Sequence, residues 1–484
     1  MRLHNIRFGF ATNSSSTHSI VLVSPEQIKQ YRRHGENSEF GWQDFVLTDK
    51  ADKLKYAAVT YYENLKQLHN YRIKNEHLAM ITEDVTDVVI GKDDYVDHQS
   101  RIVIPRDYQS YDYYPSVKFF NDFVKFLERD DVAVVGGNDN SDSSFTIDGK
   151  YIGFTLPKDS HDRVGFKYSS GYWVIFDTKK GTKVRFSFDS KEVTKGDWPE
   201  LVDISVTDFC NNTHLPCFAN CYKGSNSSGK HAGRFYIKEL ANTFAANGTF
   251  EFAIGGGEPT SHPDIKEIIL DIKSSGIVPN MSTRNVAWLV QNAEFINGCM
   301  GGVAISVTTA EEATQAIAAI TDKYSFNNYW LYAPDKAEVS LQHVIGSTDL
   351  DNLKNILDAA KHVGMRVTLL GPKKTGRGTI EWPTYDWKSV VLAKDYCNVG
   401  IDTCVAKYIG DNTLLKSGVV KELYETEEGR FSCYVDAVKM TINKSSFEEA
   451  TPTVIPGEAW GRKKEYFRAN EETVKTIKTA FSSY

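Results

Sequence analysis

Three cysteines, Cys210, Cys217 and Cys221, fall within twelve residues of a chain that has seven in all. Seven is odd and too few for a disulfide framework in 484 residues, so a reducing, cytoplasmic setting is the expectation. The run reads Cys210-Asn211-Asn212-Thr213-His214-Leu215-Pro216-Cys217-Phe218-Ala219-Asn220-Cys221-Tyr222. Three thiolates on one loop can hold three irons of a four-iron cluster and leave the fourth iron open to a substrate or cofactor. The same loop admits a zinc site completed by His214. A second run, Gly255-Gly256-Gly257-Glu258-Pro259, is followed by His262-Pro263. Glycines behind a strand let backbone groups approach a ligand closely, and Glu258 offers a carboxylate to a bound ammonium. A third, Leu370-Gly371-Pro372-Lys373-Lys374-Thr375-Gly376-Arg377-Gly378, sets three cations among glycines, which suits either an anionic ligand group or a solvated basic turn.

The elements that must position these residues are regular from about Leu201 onward. Strands are expected over Val202–Thr207, Phe250–Ile254, Val278–Ser282, Val303–Val307, Val339–Ile345 and Arg366–Leu370. Helices are expected between them: near Phe235–Ala246, from Pro263 to a stop at Gly276, over Ala287–Ile296, from a capping box at Thr309–Glu312, and over Leu350–Val363. Six strand–helix units in series imply parallel strands with crossovers, an α/β fold. Six is short of the eight of a closed barrel and suits an open, partial, TIM-like one, with chemistry at the C-terminal strand ends. The cysteine run follows the first strand and the glycine–glutamate run follows the second.

With these runs in these places, the chain resembles the radical S-adenosylmethionine (radical SAM) enzymes. Their pattern is a three-cysteine loop after the first strand, an aromatic after the last cysteine, and Gly-Gly-Glu-Pro after the second strand of a partial (βα)6 barrel. Cys210, Cys217, Cys221, Tyr222 and Gly256-Gly257-Glu258-Pro259 carry the likeness, over about residues 200–378. The spacing departs from the family's Cys-x3-Cys-x2-Cys: here it is Cys-x6-Cys-x3-Cys, and Cys210-x3-His214-x2-Cys217 would restore it with a histidine in the middle. The resemblance implies a [4Fe-4S] cluster on the three cysteines, and reductive cleavage of S-adenosyl-L-methionine to a 5′-deoxyadenosyl radical that takes hydrogen from a substrate. It implies contacts from Ser282, Arg284, Asn285 and Ser306 to the methionine carboxylate and ribose, and from Ile345 to adenine. It also implies an electron donor such as flavodoxin or ferredoxin. The layout, with Gly224-Ser225 and Gly229-Lys230-His231 after the cysteines, is similar to a subgroup often encoded by phages.

Substrate is the open question. A peptide or protein side chain fits the large flanking regions, 1–199 and 379–484. A nucleotide or nucleic acid would need a basic, aromatic-lined path, for which Lys373, Lys374 and Arg377 are the candidates. A non-catalytic zinc-binding interaction module is the alternative of a different class. Composition excludes some classes outright. With 41% hydrophobic and 25% charged residues, the chain is neither globally disordered nor fibrous. Lys+Arg of 56 against Asp+Glu of 63 leaves −7, which argues against an extensive nucleic-acid surface. No apolar run reaches the ~18 residues of a membrane span, and the start lacks the apolar core of a secretory signal.

Outside the barrel the sequence is less specific. The N-terminal region reads as mixed α and β: a helix over Ala51–Asn75, a second opened by Pro115 in its first turn, and a hairpin of Tyr172–Phe176 with Lys183–Phe188. The Ser-rich run Ala11–Ser19 reads as a polar loop, or as a segment that enters the site. Cys299, Cys397, Cys404 and Cys433 read as buried structural thiols, with an auxiliary cluster, or Cys433 as a hydrogen-atom donor, as the alternatives.

Overall fold

The computed structural model describes residues 2–7, 19–22, 39–40, 45–66, 94–96, 102, 104–109, 114–130, 132–136, 150–152, 163–179, 181–189, 192–211, 225–324, 336–373, 380–393, 399–419, 424–447, 451–460 and 466–484. The chain falls into two compact units, Met1–Val193 and Thr194–Tyr484.

In the first unit a five-stranded sheet has the order Arg2–Arg7, Lys183–Ser187, Trp173–Asp177, Arg163–Lys167, Arg106–Asp107. Its hairpin is the expected one, with Phe176 opposite Lys183. Arg2–Arg7 pairs with Lys183–Ser187 across a separation of about 180 residues that no local pattern signals. Helix Val117–Leu127 buries Phe119, Phe120, Phe123, Val124, Phe126 and Leu127. Its N-cap is Ser116, whose hydroxyl accepts the Phe119 N–H at 3.0 Å, so Pro115 lies before the helix and not in its first turn. The other helix spans Lys50–Lys66, and the rest of the expected stretch, 67–75, lies outside the described residues, as does the Ser-rich run between Ala11 and His18.

The second unit holds a ten-stranded sheet. Its six central strands are the expected series: Leu201–Thr207, Glu251–Gly256, Val278–Thr283, Gly302–Ser306, Glu338–Val344 and Val367–Leu370, all parallel and in sequence order. The sheet is longer than these six. Val399–Ile401 adds a parallel strand beside the sixth, and Ser432–Asp436 adds one beside the first. Thr441–Asn443 and Thr453–Val454 then continue antiparallel. The strand order is linear, so this is a partial, open barrel and not a closed one. Its two flanks approach each other: Lys373, just after the sixth strand, has its Nζ 4.4 Å from the ring centre of Phe447, which follows Thr441–Asn443.

Each strand has one sealed face and one open face. Phe252, Ile254, Met281, Val303, Ile305, Val339, Leu341, Val367 and Leu369 point toward the helices and are at most 2% exposed. They alternate with Ala253, Asn280, Ser282, Ala304, Ser340, Gln342 and Thr368, which are partly exposed on the inner face. The helices close the outer layer: Arg234–Ala246, Ile265–Ser274, Ala310–Ile320 and Leu350–His362. Between the third and fourth strands one expected helix is two, Val286–Gln291 and Ala293–Cys299. They part at Asn292, whose side-chain amide turns back to the Trp288 carbonyl at 2.8 Å.

Candidate active site at the strand ends

The first strand ends at Thr207, and the chain leaves it tied down on both sides. The Asp208 N–H donates to the Lys230 carbonyl at 2.8 Å, and the Cys210 N–H to the Asn226 carbonyl at 2.9 Å. The Asn226 N–H returns to Asp208 at 3.1 Å. The loop that carries the cysteines is therefore closed at its base, and Cys210, 2% exposed, stands at its root. Cys217, Cys221 and Tyr222 lie outside the described residues. Among the described residues, no group of three His, Cys, Asp or Glu side chains is placed to hold a metal ion.

The glycine–glutamate run crosses this root. The Gly257 N–H donates to the Thr207 carbonyl at 2.6 Å, and the Glu258 N–H to the Phe209 carbonyl at 2.9 Å. Gly256 has φ of +118°, and a Cβ there would sit 2.3 Å from the Thr207 oxygen. A Cβ on Gly257 would sit 2.0 Å from the Phe209 oxygen. These glycines are thus required by the passage of one backbone over another, where the sequence had pointed to close approach of a ligand. Pro259 opens a single 3-10 turn, Pro259–Ser261, which Glu258 caps.

Glu258 is 9% exposed and knits the second strand end to the third. Its Oε1 accepts from the Thr260 N–H at 3.1 Å, the Thr260 hydroxyl at 2.7 Å and the Thr283 hydroxyl at 2.6 Å. Its Oε2 accepts only the Arg284 N–H, at 3.2 Å, among the described residues. The Arg284 guanidinium reaches both oxygens of Glu312, at 2.9 and 3.0 Å, and the Thr308 hydroxyl at 3.1 Å. Asn285 caps the next helix through the Trp288 N–H and donates to Thr260 Oγ1 at 3.0 Å. Glu258, Arg284, Asn285 and Ser306 line one cavity of about 750 Å³, together with Asn211, the neighbour of Cys210 in sequence.

Other expected site residues lie elsewhere. Gly256, Gly257 and Pro259 form the turn behind Glu258, and Ser282 sits on the inner face beside Ala304. Ile345 is fully buried, its N–H bonded to the Leu370 carbonyl, and is not among the cavity's lining residues. Thr283, Thr308 and Glu312 belong to the site and were not singled out as such. Glu312 had a signal, the capping box. The Thr309 hydroxyl does accept the Glu312 N–H at 3.2 Å, but the Glu312 carboxylate turns to Arg284 and to the Thr308 N–H at 2.7 Å.

The remaining cysteines separate from this site. Cys433 pairs with Val202 across the sheet, on the helix-facing side, and is 1% exposed. Burial pushes its thiol well up, with Asp203 adding to the effect. That placement removes it as a hydrogen donor on the inner face. Cys404 packs against the Gly371 backbone, and burial, with Asp402, pushes its thiol up to about 11. Cys299 ends its helix, and Cys397 is outside the described residues. In the basic turn, Lys373 pairs with Asp402 at 3.5 Å; Lys374 and Arg377 are outside the described residues. No helix among the described residues is long and apolar enough to cross a membrane.

No family model matches the chain. Among solved structures it is similar to Streptococcus suis SuiB bound to the precursor peptide SuiA, at 10% identity and a TM-score of 0.39, over 54% of this chain and 63% of that one. The chain thus spans less than two thirds of that protein. It is similar also to SuiB bound to S-adenosylmethionine, at 10% identity and a TM-score of 0.43, over 61% of this chain and 85% of that one. A third similar structure is native anSMEcpe with bound AdoMet, at 13% identity and a TM-score of 0.37, over 58% of this chain and 84% of that one.

Proposed function

We propose that the chain is a radical SAM enzyme, with Cys210, Cys217 and Cys221 holding a [4Fe-4S] cluster. The observation that carries this reading is the crossing of the Gly256–Glu258 backbone over Thr207 and Phe209. It sets the root of the three-cysteine loop beside a buried carboxylate at the C-terminal ends of parallel strands.

Of the cluster's ligands only Cys210 is among the described residues; the support for S-adenosyl-L-methionine comes from Glu258 and the cavity around it. Oε2 of Glu258 takes one donor among the described residues, which leaves acceptor capacity for the ammonium of S-adenosyl-L-methionine. Arg284 lines the cavity with its charge shared with Glu312, and Asn285 and Ser306 supply polar contacts; Ser282 lies on the inner face of the sheet, outside that lining. Gly256, Gly257 and Pro259 shape the turn behind Glu258. When bound, the cluster and S-adenosyl-L-methionine supply one-electron chemistry that ends in hydrogen abstraction from a substrate. The protein's own part is to hold the ammonium at Glu258, orient the carboxylate at Arg284 and keep Cys210 from solvent. Electrons would come from a flavodoxin or ferredoxin, and the substrate is read as a peptide or protein side chain.

Anaerobic reconstitution followed by iron and sulfide analysis, then incubation with S-adenosyl-L-methionine and dithionite, tests this reading. Iron, acid-labile sulfide and 5′-deoxyadenosine are the expected result. Zinc without sulfide would overturn it in favour of the zinc-binding module.

A further inference from the structure

Closed barrels fill their interiors with side chains, whereas the inner face of this open sheet is partly exposed along every central strand. One row across it runs Tyr434, Asp203, Ala253, Asn280, Gly302. Alanine and glycine leave space on that row. Asp203 is the exception in it: an exposed acid between two fully buried neighbours, Val202 and Ile204, in the interior of a ten-stranded sheet.

Among the described residues, no hydrogen bond or ion pair reaches the Asp203 carboxylate. Lys373 is the cation that influences it, yet Lys373 is itself paired with Asp402 and lies over the Phe447 ring. The loss of bulk water around Asp203 pushes its carboxyl up to about 6, with Lys373 pulling the other way. Small neutral residues stand at neighbouring positions of the row, Ala253 and Gly302, so the Asp203 carboxylate faces open space. An exposed carboxylate on this open face, with no partner among the described residues, can take a cation there.

We propose that Asp203 is a cation subsite on the inner face of the sheet, and that the substrate enters with an ammonium or guanidinium group. This rests on the reading of the unit as an enzyme with its chemistry at the strand ends. Asp203 stands four residues before Thr207, about 13 Å down the strand. At that distance it anchors the substrate and takes no part in the reaction. Asn280, Ser282, Ser340, Gln342 and Thr368 share the face and offer hydrogen bonds to the rest of the substrate. A basic peptide or a polyamine-like molecule has this chemistry.

The full-length protein, with N-acetyl-lysine amide and N-acetyl-glutamate amide as probes, tests the subsite by calorimetry. The lysine probe should bind and the glutamate probe should not. Asp203 is charged above its titration and neutral below it, so the lysine affinity should fall about tenfold between about pH 7.5 and 5. The other ionisable groups near it are Lys373, Cys433, Tyr434 and Glu251; Glu251 takes a hydrogen bond from Asn280, and Asp436, one row on, is paired with Lys439. Asp203→Asn should weaken the lysine probe about 10- to 100-fold and abolish the pH dependence, and Asp203→Glu should keep it. Equal affinity for both probes in the wild-type protein, or no lysine binding at millimolar concentration, overturns the subsite without recourse to any variant. Iron and sulfide content of the wild-type protein judges the enzyme reading separately.

Discussion

A Cβ on Gly257 would stand 2.0 Å from the carbonyl oxygen of Phe209, and no rotamer change relieves that contact, because the Cβ position is set by the backbone and the oxygen belongs to it. Gly257→Ala must therefore separate the cysteine loop from the second strand end. The expected cost is about 1–3 kcal/mol of stability, read as a lower thermal midpoint. Iron incorporation should drop with it, since the loop root shifts. An alanine variant with wild-type iron content and melting temperature would show that the crossing does not hold the loop.

The cysteines divide by position. Cys210→Ala, Cys217→Ala and Cys221→Ala should each lose the bulk of the bound iron on reconstitution. Cys433→Ala should keep it, because that thiol lies on the sealed side of the sheet. Iron and sulfide analysis across the four variants distinguishes the sets, and equal loss in all four would contradict the division.

Glu258 has two separable jobs. Glu258→Gln keeps an acceptor for the Thr283 hydroxyl but removes the charge, and should weaken S-adenosyl-L-methionine binding about 10- to 100-fold while the protein stays folded. Glu258→Ala also leaves Thr283, 3% exposed, without its 2.6 Å partner, and should lower the melting temperature as well. Equilibrium dialysis with labelled S-adenosyl-L-methionine, beside thermal melts, separates the two effects.

His343 gives a pH signature. It is fully buried, its Nδ1–H donates to the Val307 carbonyl at 3.1 Å, and burial holds its pKa down at about 4. The unfolded chain takes up the proton near the ordinary histidine value, while the folded one resists it. Stability should therefore be complete above about pH 6.5 and fall as pH drops toward 4, by roughly 3 kcal/mol for this group. Denaturant titrations at stepped pH would show the slope, and His343→Gln should flatten it.

The six central strands were legible because each is an apolar run flanked by a helix of clear period, as in Phe252–Ile254 before Ile265–Ser274. The four outer strands were not. Val399–Ile401 is three residues with a glycine at its centre, and Ser432–Asp436 finds its partner, Leu201–Ser205, far away in sequence, which no local pattern encodes. Motif residues were legible by type, but their physical reasons differed. Gly256 and Gly257 answer to the backbone of Thr207 and Phe209, and Glu312 closes an ion pair with Arg284 in place of a capping box. Asp203 carries no sequence signal, because a single acid in a strand has no motif and only the open inner face gives it meaning.

The strand Ser432–Asp436 lies beside the first barrel strand, yet it is made more than two hundred residues after Thr207. At the ~5–20 residues per second of synthesis, the Leu201–Thr207 edge waits roughly 10–50 s on the ribosome with its hydrogen-bonding groups unsatisfied. During that interval the cysteine loop already exists, attached to a strand that has only one of its two neighbours. Maturation of the protein is thus ordered by translation: the barrel's first edge stays open to chaperones, or to aggregation, until the C-terminal segment arrives to cover it.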